Sequence, residues 1–249
     1  MIINERFFLI LKIVLFPLFY NIILNMKKWQ YIIILIILLL GLIIIVYPYF
    51  SNFLNEKNQS RAVSDYKSTI NTLSEDDNKK YFVAANMYNQ QLFSLKNQLQ
   101  DYKEIQGYED LLNINSNGMM GYLTIDKINV KIPIYHGTSE SVMSVACGHV
   151  QGTSLPVGGT NTHSVISAHC GLPTARLFTD LNKLNEGDRF TIIVLNREIT
   201  YEIDNIIIVK PYESDNILIK SGKDYCTLLT CTPYGINTSR LLVRGIRIN

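Results

Sequence analysis

The stretch "TLLTCTPYGINTSRLLVRG", Thr227 to Gly245, reads as an apolar run, a cluster of turn residues and a second apolar run. Pro233, Gly235 and Asn237 supply the turn chemistry. The flanking runs "DYCTLLTC" (Asp224 to Cys231) and "RLLVRGIRI" (Arg240 to Ile248) are short and apolar, as strands are. Two adjacent strands joined by this loop would bring Cys231 and Arg240 to the same end of a sheet. The same texture recurs upstream from Gly118: "GYLTI", "NVKIPIY", "SVISA", "RFTIIVLN" and "EITYEIDNIIIVK", with a further candidate near Gly148 to Gln151. Within this part only "TARLFTDLNKL" (Thr174 to Leu184) reads as helical. Seven or eight short strands at this spacing predict a mainly β, mainly antiparallel barrel or sandwich.

The region before the strands has a different character. From Trp29 to Asn55 there is no charged residue, and "YIIILIILLLGLIIIVY" (Tyr31 to Tyr47) is apolar almost throughout. A helix of about 20 residues crosses a hydrocarbon core of about 30 Å. Lys27 and Lys28 precede the run, and Trp29, Tyr31, Tyr47 and Tyr49 mark its ends, as membrane-interface anchors do. The expectation is an uncleaved transmembrane anchor over 26–50, with the N-terminus cytoplasmic and everything after Phe50 on the extracellular face. Residues 1–25 carry a second apolar piece, "FFLILKIVLFPLFYNIIL" (Phe7 to Leu24), interrupted by Lys12 and Pro17. It reads either as an extra hydrophobic segment or as an upstream extension of a chain that starts at Met26, since "MKKWQYIII" has the layout of a signal anchor.

Residues 51–116 are polar, with apolar Val63, Tyr66, Ile70 and Leu73 at helical steps. They predict two amphipathic helices broken near Leu73 to Lys80. Ser74 followed by Glu75, Asp76 and Asp77 has the pattern of a cap and acidic first turn. This region is a stalk, or a segment folded back over a site. The catalytic candidate is 117–249. The balance of 23 basic and 21 acidic residues gives a net charge of +2 and no reason to expect a nucleic acid partner.

Four cysteines outside a membrane would suit a disulfide framework, but the spacings argue against one. Cys226 and Cys231 are five apart in one strand and point to opposite faces. No cysteine or histidine pair has zinc-ligand spacing, so no metal is expected. A catalytic cysteine attacks as its thiolate and needs a proton partner. Of His136, His149, His163 and His169, the last ends an apolar strand and runs into a loop with Gly171 and Pro173, where a side chain can face a cleft. The other three suit local hydrogen bonding. Arg240 would supply a cationic donor for the oxygen that turns negative when a carbonyl is attacked. Each residue alone also fits a plainer role, Cys231 as a small buried hydrophobe and Arg240 as a solvated strand residue.

"TLLTCTPYGINTSRLLVRG" resembles the active-site strand, loop and strand of the sortases, cysteine transpeptidases of Gram-positive cell surfaces. "YHGTSE", "GHVQGTSLPVGGTNTHSVISAHCGLP", "LFTDLNKL" and "GDRFTIIVLN" are similar to class C, the pilin-polymerising group, from about Asn117 onward. The resemblance implies an eight-stranded sortase β-barrel behind N-terminal helices and a transmembrane anchor. It implies Cys231 as nucleophile, His169 as acid/base and Arg240 as the substrate- and oxyanion-binding residue. It further implies substrates with a Leu-Pro-x-Thr-Gly-like (LPXTG-like) sorting signal, a pilin lysine as acceptor, and no cofactor. Anchoring of surface proteins to peptidoglycan and a silent sorting-signal-binding module are the alternative functions. The sequence departs from the class at three points. It has no Asp-Pro lid motif, leaving Asp101-Tyr102 or Tyr108 as substitutes; it stops at Asn249 directly after the last strand; and it has Cys170 where arginine commonly follows the histidine. Since adjacent positions of an extended chain point apart, Cys170 is expected to face away from Cys231. The oligomeric state is not legible.

Overall fold

The computed structural model describes residues 27–249; residues 1–26, including the first apolar piece and Met26, lie outside the described residues. The chain divides into two compact units, one ending at Pro48 and the other running Tyr49–Asn249. Helix α1, Lys28–Thr72, passes through both. In the first unit its side chains from Ile32 to Val46 are exposed, and the helix is long and apolar enough to cross a membrane by length and composition. The break expected near Leu73 to Lys80 falls between Thr72 and Glu75. Pro48 lies inside the continuous helix.

In the second unit α1 is packed against the barrel, as the three-residue step from Val63 to Tyr66 predicts. Val63 and Tyr66 are buried with Met119, Tyr122 and Ile193. The Tyr66 hydroxyl donates to Met120 O at 2.7 Å and accepts from Leu195 N at 2.9 Å, so the polar tip of a fully buried ring is satisfied twice. Gln59 adds a bond to Val145 O at 2.7 Å. This half of α1 is therefore part of the catalytic unit rather than a free spacer. Helix α2, Glu75–Ser94, begins as its sequence predicts: Ser74 Oγ accepts from Asp77 N at 3.1 Å, and three acidic residues occupy the first turn. Its Phe82, Ala85, Tyr88, Asn89 and Leu92 face the core at helical spacing. Asn89 exchanges two hydrogen bonds with the backbone of Leu155.

Eight strands follow: β1 Met119–Ile125, β2 Val130–His136, β3 Cys147–His149, β4 Thr162–Ser167, β5 Arg189–Val194, β6 Arg197–Val209, β7 Asp224–Thr232 and β8 Ser239–Arg247. They close into a barrel in the order β1-β2-β3-β4-β7-β8-β6-β5. All pairings are antiparallel except β2–β3 and β4–β7, which are parallel. Period-two alternation sends Ile166, Ala168, Cys226, Leu228, Leu241 and Val243 into the core. The residues between them lie on the outer face.

One element differs from the sequence reading. "TARLFTDLNKL" forms turns with a single 3-10 turn at Leu181–Lys183, not an α-helix. Ala175, Leu177, Phe178, Leu181 and Leu184 are buried from successive turns, with Leu177 at φ 37°. Asp180 pairs with Arg176 four residues before it and Lys183 three after it, which reproduces helical charge spacing without a helix. The positive φ of Leu177 takes the backbone out of the right-handed helical region in the middle of the segment.

The three remaining histidines make local bonds. His149 Nε2 donates to Ser154 O at 2.8 Å while its Nδ1 meets the Tyr108 hydroxyl at 2.9 Å. His163 Nδ1 donates to Leu218 O at 3.0 Å and its Nε2 accepts from Thr227 Oγ1 at 2.7 Å. Both are held neutral, burial pushing each down to about 4. Both ring nitrogens of His136 face carbonyl oxygens, Gly118 O and Leu111 O, at 2.8 Å.

Two outcomes follow from this packing. Tyr66→Phe strands a buried carbonyl and a buried N–H, and it should cost about 1–3 kcal/mol in denaturant unfolding. The folded-state values of His149 and His163 lie below their unfolded values, so the unfolded chain takes up protons that the fold refuses. Stability should be level above pH 7 and fall as pH drops from about 6.5 toward 4. Replacing either histidine by glutamine should remove about one proton from the slope of stability against pH between 7 and 5.

Candidate active site

The parallel β4–β7 pair sets the site. Its register, Val165↔Thr227 and Ser167↔Leu229, continues past the end of β4. Ala168 N donates to Leu229 O at 3.1 Å, and Thr230 Oγ1 donates to Ala168 O at 2.7 Å. Carried two residues on, the register sets His169 beside Cys231. On the other side of β7, Cys231 is the direct partner of Arg240 on β8. Cys231 and Arg240 thus share a row across β7 and β8, and extrapolation of the β4 register past its end adds His169 to it. Ala168, Thr230 and Leu241 are buried on the inner face, so alternation places the row on the outer face.

Below it runs a second row, Ser167, Leu229 and Leu242, and then a third, Val165, Thr227 and Arg244. These rows are fixed by side-chain bonds. Arg244 grips Asp204 with two hydrogen bonds of 3.0 and 2.9 Å and lies over the Tyr225 ring. His163, through Thr227 and Leu218, ties this face to the β6–β7 loop.

Cys231 and His169 are each partly accessible. His169 O accepts from Phe178 N at 3.1 Å, so the irregular "TARLFT" segment holds its backbone. Its Nε2 is enclosed and, among the described residues, makes no hydrogen bond. The nearest carboxylate oxygen is Glu140 Oε2 at 3.8 Å, beyond hydrogen-bond reach. Glu140 begins the short helix α3, Glu140–Met143, between β2 and β3. Nothing in the sequence marked it, because a glutamate after a serine in a loop reads only as a helix start.

Arg240 Nη1 donates to Asn237 O and Ser239 O at 3.2 and 3.0 Å. The loop between the strands thereby orients the guanidinium, with Asn237 in the left-handed region at φ 61°. Among the described residues no carboxylate forms an ion pair with Arg240. It remains a cationic donor beside the thiol, where negative charge would develop on an attacked carbonyl.

The loops after β4 and β7 are fitted together at Gly171. It has φ +79°, and a Cβ there would come 2.7 Å from Tyr234 Cε2. Gly171 N also donates to Thr179 Oγ1 at 3.1 Å. The Tyr234 ring lies against this bare backbone, joining the turn that follows His169 to the one that follows Cys231.

Cys170 follows the end of β4 by three residues. The chain bends at this residue, so the alternation rule for extended backbone does not hold. Burial raises its thiol pKa, with further contributions from charge at Cys231 and at Asp180. Cys170 and Cys231 are both half-buried. Cys147 and Cys226 are fully buried, and all four cysteines are free.

The segment after α2 docks on loops around the barrel. Gln98 bridges Gly152 O at 3.1 Å and Ile219 N at 2.9 Å. Tyr102 lies against Gly152, and the Tyr108 hydroxyl accepts from Gly137 N at 3.1 Å. Asp101 accepts from Asn97 N at 3.1 Å within its own turn. Gln98, Tyr102 and Tyr108 thus fasten this segment to the β3–β4, β6–β7 and β2–β3 loops, whereas Asp101 bonds only within its own turn. Among the described residues no group of three or more metal-ligating side chains occurs.

The Gly171 contact makes a direct prediction. Gly171→Ala introduces both a strained φ and a clash with Tyr234, so it should lower kcat/KM by tenfold or more. Adding Tyr234→Ala should recover the steric part and leave the backbone part, as a double-mutant cycle on peptide cleavage would resolve.

With the geometry described, comparison with known proteins gives a consistent result. The "Sortase domain" family model matches residues 123–248. Sortase C1 from Streptococcus agalactiae superposes with a TM-score of 0.70 at 46% identity, covering 76% of this chain and 98% of that one. Clostridium perfringens sortase C, solved with the C-terminal cell wall sorting motif, gives 0.66 at 44% identity, covering 76% and 99%. Sortase D of Bacillus subtilis is 29% identical over 131 residues, which span 51% of this chain and 63% of that protein. Members of this family are cysteine transpeptidases, and the structural neighbours are class C enzymes. The barrel from β1 to β8 and the match over 123–248 show that the chain belongs to the sortase family.

Proposed function

We propose that this protein is a membrane-anchored class C sortase that joins pilin subunits through LPXTG-like sorting signals. The observation that carries the reading is the single row of His169, Cys231 and Arg240 on the outer face of β4, β7 and β8. Support for the substrate comes from the Clostridium perfringens relative bound to a cell wall sorting motif. Support for the anchor comes from the apolar first part of α1, and Lys27 and Lys28 before it favour an extracellular catalytic unit under the positive-inside rule.

In this reading Cys231 attacks the threonine carbonyl of the sorting signal as its thiolate. Arg240 stabilises the tetrahedral oxyanion. As the intermediate collapses, the glycine amine departs with a proton from His169. A thioester to Cys231 remains. The ε-amine of a pilin lysine then attacks, gives its proton to His169 and displaces the thiolate, leaving an isopeptide bond. One acyl bond is exchanged for another, so no ATP is consumed. Enclosure of His169 Nε2 without a hydrogen bond leaves that nitrogen available to a substrate group.

The full chain in detergent should cleave a fluorogenic sorting peptide, and Cys231→Ala should abolish cleavage. Arg240→Ala should lower kcat by about 10²–10³, the usual cost of one oxyanion donor. Persistent cleavage by Cys231→Ala would remove the nucleophile assignment. With a pilin as second substrate, a ladder stable to boiling in detergent is expected; cleavage without a ladder would favour transfer to a peptidoglycan amine.

A further inference from the structure

We propose that Cys170 is a resolving thiol for Cys231, forming a reversible intramolecular disulfide with it when the nucleophile is oxidised. The geometry brackets Cys170 on both sides. Its predecessor His169 stands beside Cys231 in the continued β4–β7 register. Its successor Gly171 lies under the ring of Tyr234, three residues beyond Cys231. Strands lie about 4.8 Å apart, and Cys170 is one residue from the position that the continued register sets beside Cys231. Disulfides span about 4.4–6.8 Å between Cα atoms. The bend at Cys170 frees its side chain from the alternation that would turn it away. Both sulfurs are partly accessible, whereas Cys147 and Cys226 are sealed in the barrel.

The chemistry balances with a peroxide as oxidant. The Cys231 thiolate attacks one peroxide oxygen, the O–O bond breaks, hydroxide leaves, and Cys231 becomes a sulfenic acid. The Cys170 thiol then attacks the Cys231 sulfur, giving up its proton, and the S–O bond breaks with loss of water. Two electrons have passed from two thiols to one peroxide. Electrostatics favour this order. Burial and the charge at Cys231 hold Cys170 protonated and unreactive in the reduced protein. Conversion of the Cys231 thiolate to a neutral sulfenic acid removes that repulsion, while His169 stands next to Cys170 to take its proton. On an extracellular face without a glutathione pool, the disulfide would keep the nucleophile from the sulfinic state, from which a thiol does not restore it.

This inference rests on Cys231 being the reactive thiol, but not on which substrates it joins. The test is hydrogen peroxide at a few equivalents on the full chain in detergent, followed by intact mass, non-reducing peptide mapping and peptide cleavage. The wild type should lose about 2 Da, show a Cys170–Cys231 linked peptide, lose activity and regain it with dithiothreitol. Cys170→Ser and Cys170→Ala should match the unoxidised wild type within about twofold. Under the same peroxide they should gain about 16 or 32 Da on Cys231 and, once 32 Da heavier, stay inactive with dithiothreitol. Oxygen addition on wild-type Cys231 without the linked peptide would overturn the proposal. So would a disulfide only between chains, or recovery of the Cys170 variants equal to wild type. Failure of the nucleophile assignment is told apart by Cys231→Ala, which would then still cleave peptide before any oxidant is added.

Discussion

Parallel pairing of β4 with β7 is the constraint on which the candidate site depends. These strands are far apart in sequence, with β5, β6 and their loops between them. Only their hydrogen-bonded register puts the residue after Ala168 beside Cys231. Thr230 extends that register past the regular ladder by giving its hydroxyl to Ala168 O. A buried hydroxyl with its partner missing would carry a desolvation penalty, so the bond favours one register over its neighbours. The antiparallel β7–β8 pairing then adds Arg240 at no further structural cost, because direct partners on adjacent strands share a face.

Around this row the fold uses neutral, fully bonded histidines as fasteners and leaves one histidine incompletely bonded. His149 and His163 each use both ring nitrogens and are buried enough to stay uncharged. His169 differs in both respects: it is partly accessible, and its Nε2 has no hydrogen bond among the described residues. The contrast separates structural from chemical use of the same side chain. A similar contrast holds among the cysteines. Cys147 and Cys226 have thiols raised by complete burial, while Cys170 and Cys231 lie partly open and near each other.

The helical region before the barrel is bound to it by single polar residues reaching backbone groups. Tyr66 spans Met120 and Leu195, Asn89 holds Leu155, and Gln98 joins the β3–β4 and β6–β7 loops. Each satisfies backbone groups that closure of the barrel leaves unpaired, so the helices complete the polar bonding of the core as well as covering it.

The sequence by itself determined the local structure. Alternation and turn residues placed the strands, Ser74 with its acidic followers placed the start of α2, and the uncharged run from Trp29 marked the membrane-length helix. These are readings of near neighbours, where propensity and period act within a few residues. His169 stood out among the histidines by its place at a strand end, while Cys231 and Arg240 were set apart by the resemblance of their strand, loop and strand to the sortases. Tertiary structure decided what depends on distant partners. It chose turns for "TARLFTDLNKL", with Leu177 at positive φ, where the local spacing suited a helix. It brought Glu140, from between β2 and β3, toward His169 after β4, and it bent the chain at Cys170, where the alternation rule does not apply. Strand pairing and backbone bends are set by contacts between residues far apart in the chain, and no local pattern encodes them.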